Sequence, residues 1–204
     1  MAILLFLDTE YTNQNNPKLI SIGLKSAHYN YYNQLKLPQK TFYTPYVSHD
    51  ILPLLNDVFL PQSQLKKSLL TFFSNVKEDI YLVSDEIIDL TLFNEIIGNK
   101  PSNLVGYINI YEYFKNMSNE VWGRDYLQLC KQAGEQLNYI FHSYCDSWYQ
   151  SNNVAKNQAL NDAKANEFAF YETEKYLKLS IEEVLKFLSQ KNEAINSLTY
   201  KHKY

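Results

Sequence analysis

The sequence predicts an α/β fold built from early antiparallel strands, then a strand–helix unit, then helices. Three observations predict it. Two short apolar runs, at 3–7 and 19–24, are joined by a polar connection carrying Asn13, Asn15, Asn16 and Pro17, the pattern of a β-hairpin. A later apolar run at 80–84 leads into a segment whose apolar residues recur at helical spacing. The last third of the chain carries small and apolar residues at the same spacing. With 204 residues, 46% hydrophobic and 20% charged, the chain is long enough for one domain with a real core, so a single domain over 1–204 is expected.

The elements follow in order. The hairpin places Asp8, Thr9 and Glu10 at the end of its first strand. Strand side chains alternate faces, so Asp8 and Glu10 project side by side. Residues 28–40 are polar and aromatic and read as a turn or strand extension, and 41–47 read as a third strand. Ser48, His49 and Asp50 would cap a short segment at 51–56, interrupted by Pro53. Leu65, Leu69, Leu70, Phe72 and Phe73 make 63–74 an amphipathic helix. A buried strand at 80–84 feeds a helix at 89–97, which Gly98 and Pro101 end. Residues 104–114 fit strand or helix equally, and 122–148 hold helices that cannot be phased. Asn152 and Asn153 mark a loop before a helix at 162–177 with Ala163, Ala165, Phe168 and Ala169 at small or apolar positions. Ser180 and Glu183 form a capping box for a final helix at 180–198, whose stripe of Ile181, Val184, Leu185, Leu188, Ile195 and Leu198 packs on the domain or serves a dimer contact.

Charge and cysteine usage exclude several function classes. A net charge of −3 and a pI of about 5.8 argue against a broad electrostatic grip on long duplexes, though not against a small site for nucleotide ends. Cys130 and Cys145 lie outside any CxxC spacing, so neither a metal knuckle nor a redox pair is expected; both read as buried thiols in a reducing cytoplasm. The apolar run after Met1 is too short for a signal peptide or a membrane span. His28, His49, His142 and His202 show no ligand spacing.

Three acidic stations stand out. Asp8 and Glu10 end one buried strand, Asp89 starts a helix after another, and Asp162 opens a third element. Strand ends and helix N-termini are where α/β sheets build sites. Taken singly each has an ordinary explanation: an exposed strand end for the first pair, the positive end of a helix for the other two. Brought together, four carboxylates repel one another unless a cation lies between them, and carboxylate oxygens suit Mg²⁺ or Mn²⁺. Two such ions roughly 3.5–4 Å apart suit in-line displacement at phosphorus.

These residues resemble the motifs of a known family. Asp8-Thr9-Glu10-Tyr11-Thr12, followed by the run at 19–24, resembles the first motif of the DEDD 3′–5′ exonucleases. The stretch from Val83 to Phe93 looks like the second, and Asn157-Gln158-Ala159-Leu160-Asn161-Asp162-Ala163 is similar to the third, usually His-Asn-Ala-Leu-x-Asp-Ala. The order and the spacings of about 80 and 70 residues fit as well. The first motif, the apolar residues at 47–56 and the small size look most like the bacterial and phage exoribonuclease branch that includes a mycobacterial member. Oligoribonuclease and ribonuclease T are more distant relatives. The resemblance implies a ribonuclease H-like mixed sheet flanked by helices. It implies metal-dependent removal of nucleoside monophosphates from the 3′ ends of single-stranded RNA, DNA or short oligonucleotides, and often a homodimer. Asp8, Glu10, Asp89 and Asp162 would hold two Mg²⁺ or Mn²⁺, with Thr9, Glu10 and Tyr11 beside the terminal nucleotide, Tyr11 stacking on a base. Asp85 stands where the family often has Asn and rivals Asp89 as the second-motif ligand.

One departure bears directly on catalysis. The family's general base is a His five residues before the last Asp, and here that residue is Asn157. An amide cannot take a proton near pH 7, and losing a general base typically costs about 10²–10⁴-fold. The Tyr variant of the motif is absent too, since Gln158 lies four residues before Asp162. His142 is a remote substitute. The open readings are a slow nuclease relying on metals, a module that binds ends without turnover, a chain carrying a His-to-Asn exchange made to trap substrate, and a protein that keeps the fold alone. Asn157 is also open to a plainer reading, as a loop residue capping the turn that follows.

Overall fold

A central parallel pair of strands requires crossovers, and the helical segments between the strands supply them. The computed structural model describes residues 2–39, 41–122 and 127–178. Its sheet has the order β3-β2-β1-β4-β5, with β1 at Ala2–Tyr11, β2 at Leu19–Lys25, β3 at Asn30–Gln34, β4 at Asp79–Ser84 and β5 at Leu104–Asn109. β1 pairs antiparallel with β2, as the hairpin pattern predicts, and parallel with β4, from Ala2↔Asp79 to Phe6↔Val83. Helix α1 (Gln62–Asn75) lies between β3 and β4, and α2 (Ile87–Ile97) crosses from β4 to parallel β5. Helices α3 (Ile110–Trp122), α4 (Leu127–Asn152) and α5 (Ala159–Glu174) follow.

β1 reads as a continuous apolar run because both its faces are covered. Leu5 and Leu7 join Leu82 and Leu104 against Leu65, Leu69 and Phe73 of α1 and Phe93 of α2. Phe6 and Val83 point the other way, into Phe114, Phe141 and Phe170 of α3, α4 and α5. The described residues therefore form one α/β domain, a mixed sheet flanked by helices. Among the described residues no helix is long and apolar enough to cross a membrane.

Several expectations need correction. The third strand is Asn30–Gln34, inside the stretch read as a turn or extension, and 41–47 form no strand. The strand is an edge whose sequence, NYYNQ, is polar. Its backbone is held by pairing with β2, and it buries Tyr31 and Gln34. The Gln34 amide acts as a polar staple, donating to Asn56 O (2.9 Å) and accepting from Asn56 N–H (2.9 Å). Pro45 lies in 41–47, and the chain there turns into a π-helical turn, Val47–Ile51, whose Val47 and Ile51 pack on Ile20. Ser48, His49 and Asp50 lie within that turn and cap nothing.

The ambiguous stretch 104–114 is both elements in succession. Asn109 ends β5, and its Oδ1 accepts from the Glu112 N–H (3.1 Å), the bond of a capping residue. Helix α2 begins two residues before the expected start, and α5 begins at Ala159, before Asp162. Leu70 and Phe168, expected on apolar faces, are exposed. The loop expected at Asn152 and Asn153 begins at Asn153, whose φ is 50°; Asn152 is the last residue of α4. The expected helix at 180–198, Cys130 and His202 lie outside the described residues or side chains.

One glycine decides where α5 sits. Gly23 pairs with Asp8 across the β1–β2 ladder. A Cβ at Gly23 would lie 2.3 Å from the backbone C and O of Ala159, so the first turn of α5 rests directly on β2. That contact carries Asp162, in the same first turn, toward Asp8.

Candidate metal centre

Alternation along β1 brings Asp8 and Glu10 to one side, as expected, and each then meets carboxylates from other elements. Ligand oxygens of Asp8, Glu10 and Asp162 lie within 4.8 Å of one another, and so do those of Asp8, Asp85 and Asp89. Asp8 belongs to both groups. All four residues singled out from the sequence therefore converge, and Asp85, the rival to Asp89, converges with them.

Three of the carboxylates, Asp89, Asp85 and Asp162, are fastened by neutral donors from the surrounding elements. β1 pairs with β4 only as far as Phe6, which leaves the Thr9 backbone beyond that ladder. The Thr9 N–H donates to Asp89 Oδ1 (3.0 Å), and the Thr9 hydroxyl donates to the same oxygen (2.6 Å). Ser84, the last residue of β4, donates to Asp89 Oδ2 (2.7 Å). Asp89 is thus buried with both oxygens held. Asp85, in the turn between β4 and α2, accepts from Asn166 Nδ2 of α5 (3.0 Å). The Tyr149 hydroxyl of α4 donates to Asp162 Oδ1.

Burial and mutual repulsion raise every one of these acids. Burial first, then Asp162 and Asp89, push Asp8 well above the usual carboxylate range. Glu10 rises to about 9 through burial and the neighbouring Asp162. Asp89 rises to about 8 through burial and Asp85, although Thr9 and Ser84 pull it back. Asp162 rises to about 6 through burial, and hydrogen bonds with Tyr149 and Glu10 restrain it. A site that must hold protons to relieve its own repulsion is one that a divalent cation would relieve better.

The donors are carboxylate oxygens alone, with no His or Cys in either group. That chemistry fits Mg²⁺ or Mn²⁺ rather than a softer ion. A metal–oxygen bond of about 2.1 Å sets neighbouring ligand oxygens roughly 3–4 Å apart, which the two groups can meet.

Two cavities open onto the cluster. The larger, about 580 Å³, adds Tyr11, Thr44, Tyr46, Val47 and Ile51 to the acidic floor. Thr9 and Glu10 are buried in that floor, and Tyr11, half-buried on the wall, donates to Glu86 (3.2 Å). The smaller, about 210 Å³, is lined by His142, Cys145, Tyr149 and Lys156 beside Asp8 and Asp162. Cys145 is a buried thiol, as expected. His142 reaches the rim of the small cavity, where it shares a hydrogen bond with the Tyr111 hydroxyl (3.0 Å).

Asn157 lines both cavities, but it does not cap α5. The N-cap is Gln158, without a side-chain cap bond, and Asn157 adopts a left-handed φ of 63°. Its Oδ1 accepts from the Tyr46 hydroxyl (2.6 Å), which ties the 45–51 segment to the mouth of the larger groove. The sequence carried no signal for Tyr46 or Tyr149, since each reaches the site from an element whose phase or position the local pattern leaves open; Asn166 was missed although its helix was expected, and it lies one turn after Asp162 on α5. Comparison of the chain with family models and with curated proteins returned no match.

Proposed function

We propose that this chain is a metal-dependent 3′–5′ exonuclease of ribonuclease H-like fold. It would release nucleoside monophosphates from the 3′ ends of single-stranded RNA or short oligonucleotides. One observation carries the reading: two sets of three carboxylates converge and share Asp8, a ligand arrangement suited to two neighbouring cations in phosphoryl transfer. The sheet order and the sequence of the acidic stations along the chain support it.

Asp8, Glu10 and Asp162 would hold one Mg²⁺ or Mn²⁺, and Asp8, Asp85 and Asp89 the other. When bound, such a pair makes a water more acidic and stabilises a departing oxygen. Thr9 and Ser84 fix Asp89, so the second-motif helix cannot drift from β1. Tyr11 and Tyr46 on the groove walls offer flat faces on which the bases of a single strand stack. The Asn157 amide, bonded to Tyr46, has no basicity with which to take a proton from water. Turnover is therefore slow.

The same amide favours a second reading, in which the site holds RNA or nucleotide ends without cleaving them. The two are separated by incubating the protein with Mn²⁺ and 3′-labelled RNA and DNA oligomers. The nuclease reading expects metal-dependent monophosphate release, abolished by Asp8→Ala and raised about 10²-fold or more by Asn157→His. Mn²⁺-dependent binding of the oligomers with no release, even from the Asn157→His protein, supports the binding module instead.

A further inference from the structure

Asp162 enters the cluster from α5, and what orients its carboxylate comes from a different helix. The Tyr149 hydroxyl, in the last turns of α4, donates to Asp162 Oδ1. The Tyr149 ring is itself held, with Lys156 Nζ 5.3 Å from its centroid. Lys156 also pairs with Asp146, one turn before Tyr149 on the same helix. The 153–158 connection is thereby pinned to α4 on the side of the small cavity, immediately before the turn that carries Asp162.

We propose that Tyr149 is a positioning residue for metal binding. Its hydroxyl orients the Asp162 carboxylate toward Asp8 and Glu10, and Asp146 and Lys156 form the clamp that holds the ring in place. The inference rests on the reading of Asp162 as a ligand. At neutral pH a phenol is a donor, and it has a single proton to give. That proton goes to a carboxylate facing a cavity of about 210 Å³, rather than to a backbone carbonyl in the core. With one oxygen held by Tyr149, the carboxylate has one preferred orientation, and an ion would take the place of the proton that Asp162 shares with Glu10. Thr9 and Ser84 likewise orient Asp89, one on each of its oxygens, and Asn166 orients Asp85. Partners that orient a ligating carboxylate typically govern about 10–100-fold in metal affinity.

The test is calorimetric titration of Mn²⁺ into the wild-type chain, Tyr149→Phe and Lys156→Gln, with the melting temperature of each metal-free protein measured alongside. Tyr149→Phe removes one oxygen and is expected to raise the Mn²⁺ Kd about 10–100-fold. Lys156→Gln, at an exposed position, is expected to raise it at least threefold and decides the matter should the Phe variant fail to fold. A purely structural role for Tyr149 would lower the metal-free melting temperature and leave the Kd within twofold, and that result overturns the proposal. Wild-type protein that binds no Mn²⁺ overturns the nuclease reading and this inference together. Two ions bound equally well by all three proteins overturn the positioning role alone.

Discussion

Asp8 is shared by both carboxylate groups, and its register partner is the glycine on which α5 rests. The acids around it have a consequence for stability. An acid whose pKa is raised by folding binds its proton more tightly in the folded state. The stability this contributes is present below the unfolded pKa and is lost as pH rises through the folded one. The ordinary values are 3.8 and 4.5, and the folded values reach about 6 for Asp162, about 8 for Asp89 and about 9 for Glu10. The metal-free protein should therefore melt at progressively lower temperature between about pH 5 and pH 9, and Mn²⁺ should reverse the loss most strongly at the alkaline end. Differential scanning fluorimetry across that range checks it, and a flat metal-free profile would contradict it. Asp8, Glu10, Asp89 and Asp162 were legible in the sequence because each follows an apolar run or lies in the first turn of a helix. Tyr149 and Tyr46 were not, since a hydroxyl that crosses between elements leaves no local pattern.

At the scale of elements, the close seat of α5 on β2 does as much for the site as any ligand. Adding a Cβ at Gly23 forces the Ala159 backbone away, and Asp162 moves with the turn it belongs to. Gly23→Ala should destabilise the chain by about 1–3 kcal/mol, as overpacking generally does. It should also weaken Mn²⁺ binding, although position 23 carries no ligand; thermal unfolding with and without Mn²⁺ measures both effects. Elements with strong apolar periodicity were readable: the hairpin, the amphipathic α1, the strand at 80–84 and the helix after it. The third strand was not. Its residues are polar and its stability comes from backbone pairing with β2, whereas the apolar residues nearby, Val47 and Ile51, serve a turn that packs on Ile20. The stretch 104–114 resisted assignment because a strand passes into a helix at Asn109 with no break between them.

For the whole molecule, the mixed sheet is a device for bringing distant segments together. The parallel β1–β4 pair aligns the ends of two strands that lie about 75 residues apart in the chain, and α5 returns across the antiparallel side to close the cluster. The site so formed is strongly acidic in a chain of net charge −3, so the proposed phosphodiester substrate could approach it only with cations bound. The number of Mn²⁺ ions bound per chain is the most direct measurement of this dependence. Titration of the metal-free protein should give two ions for the wild-type chain and a loss of both at the same concentrations for Asp8→Asn, the residue common to the two groups. A wild-type chain that binds none, or an Asp8→Asn chain that still binds two with unchanged affinity, would contradict the assignment of this cluster as a two-metal centre.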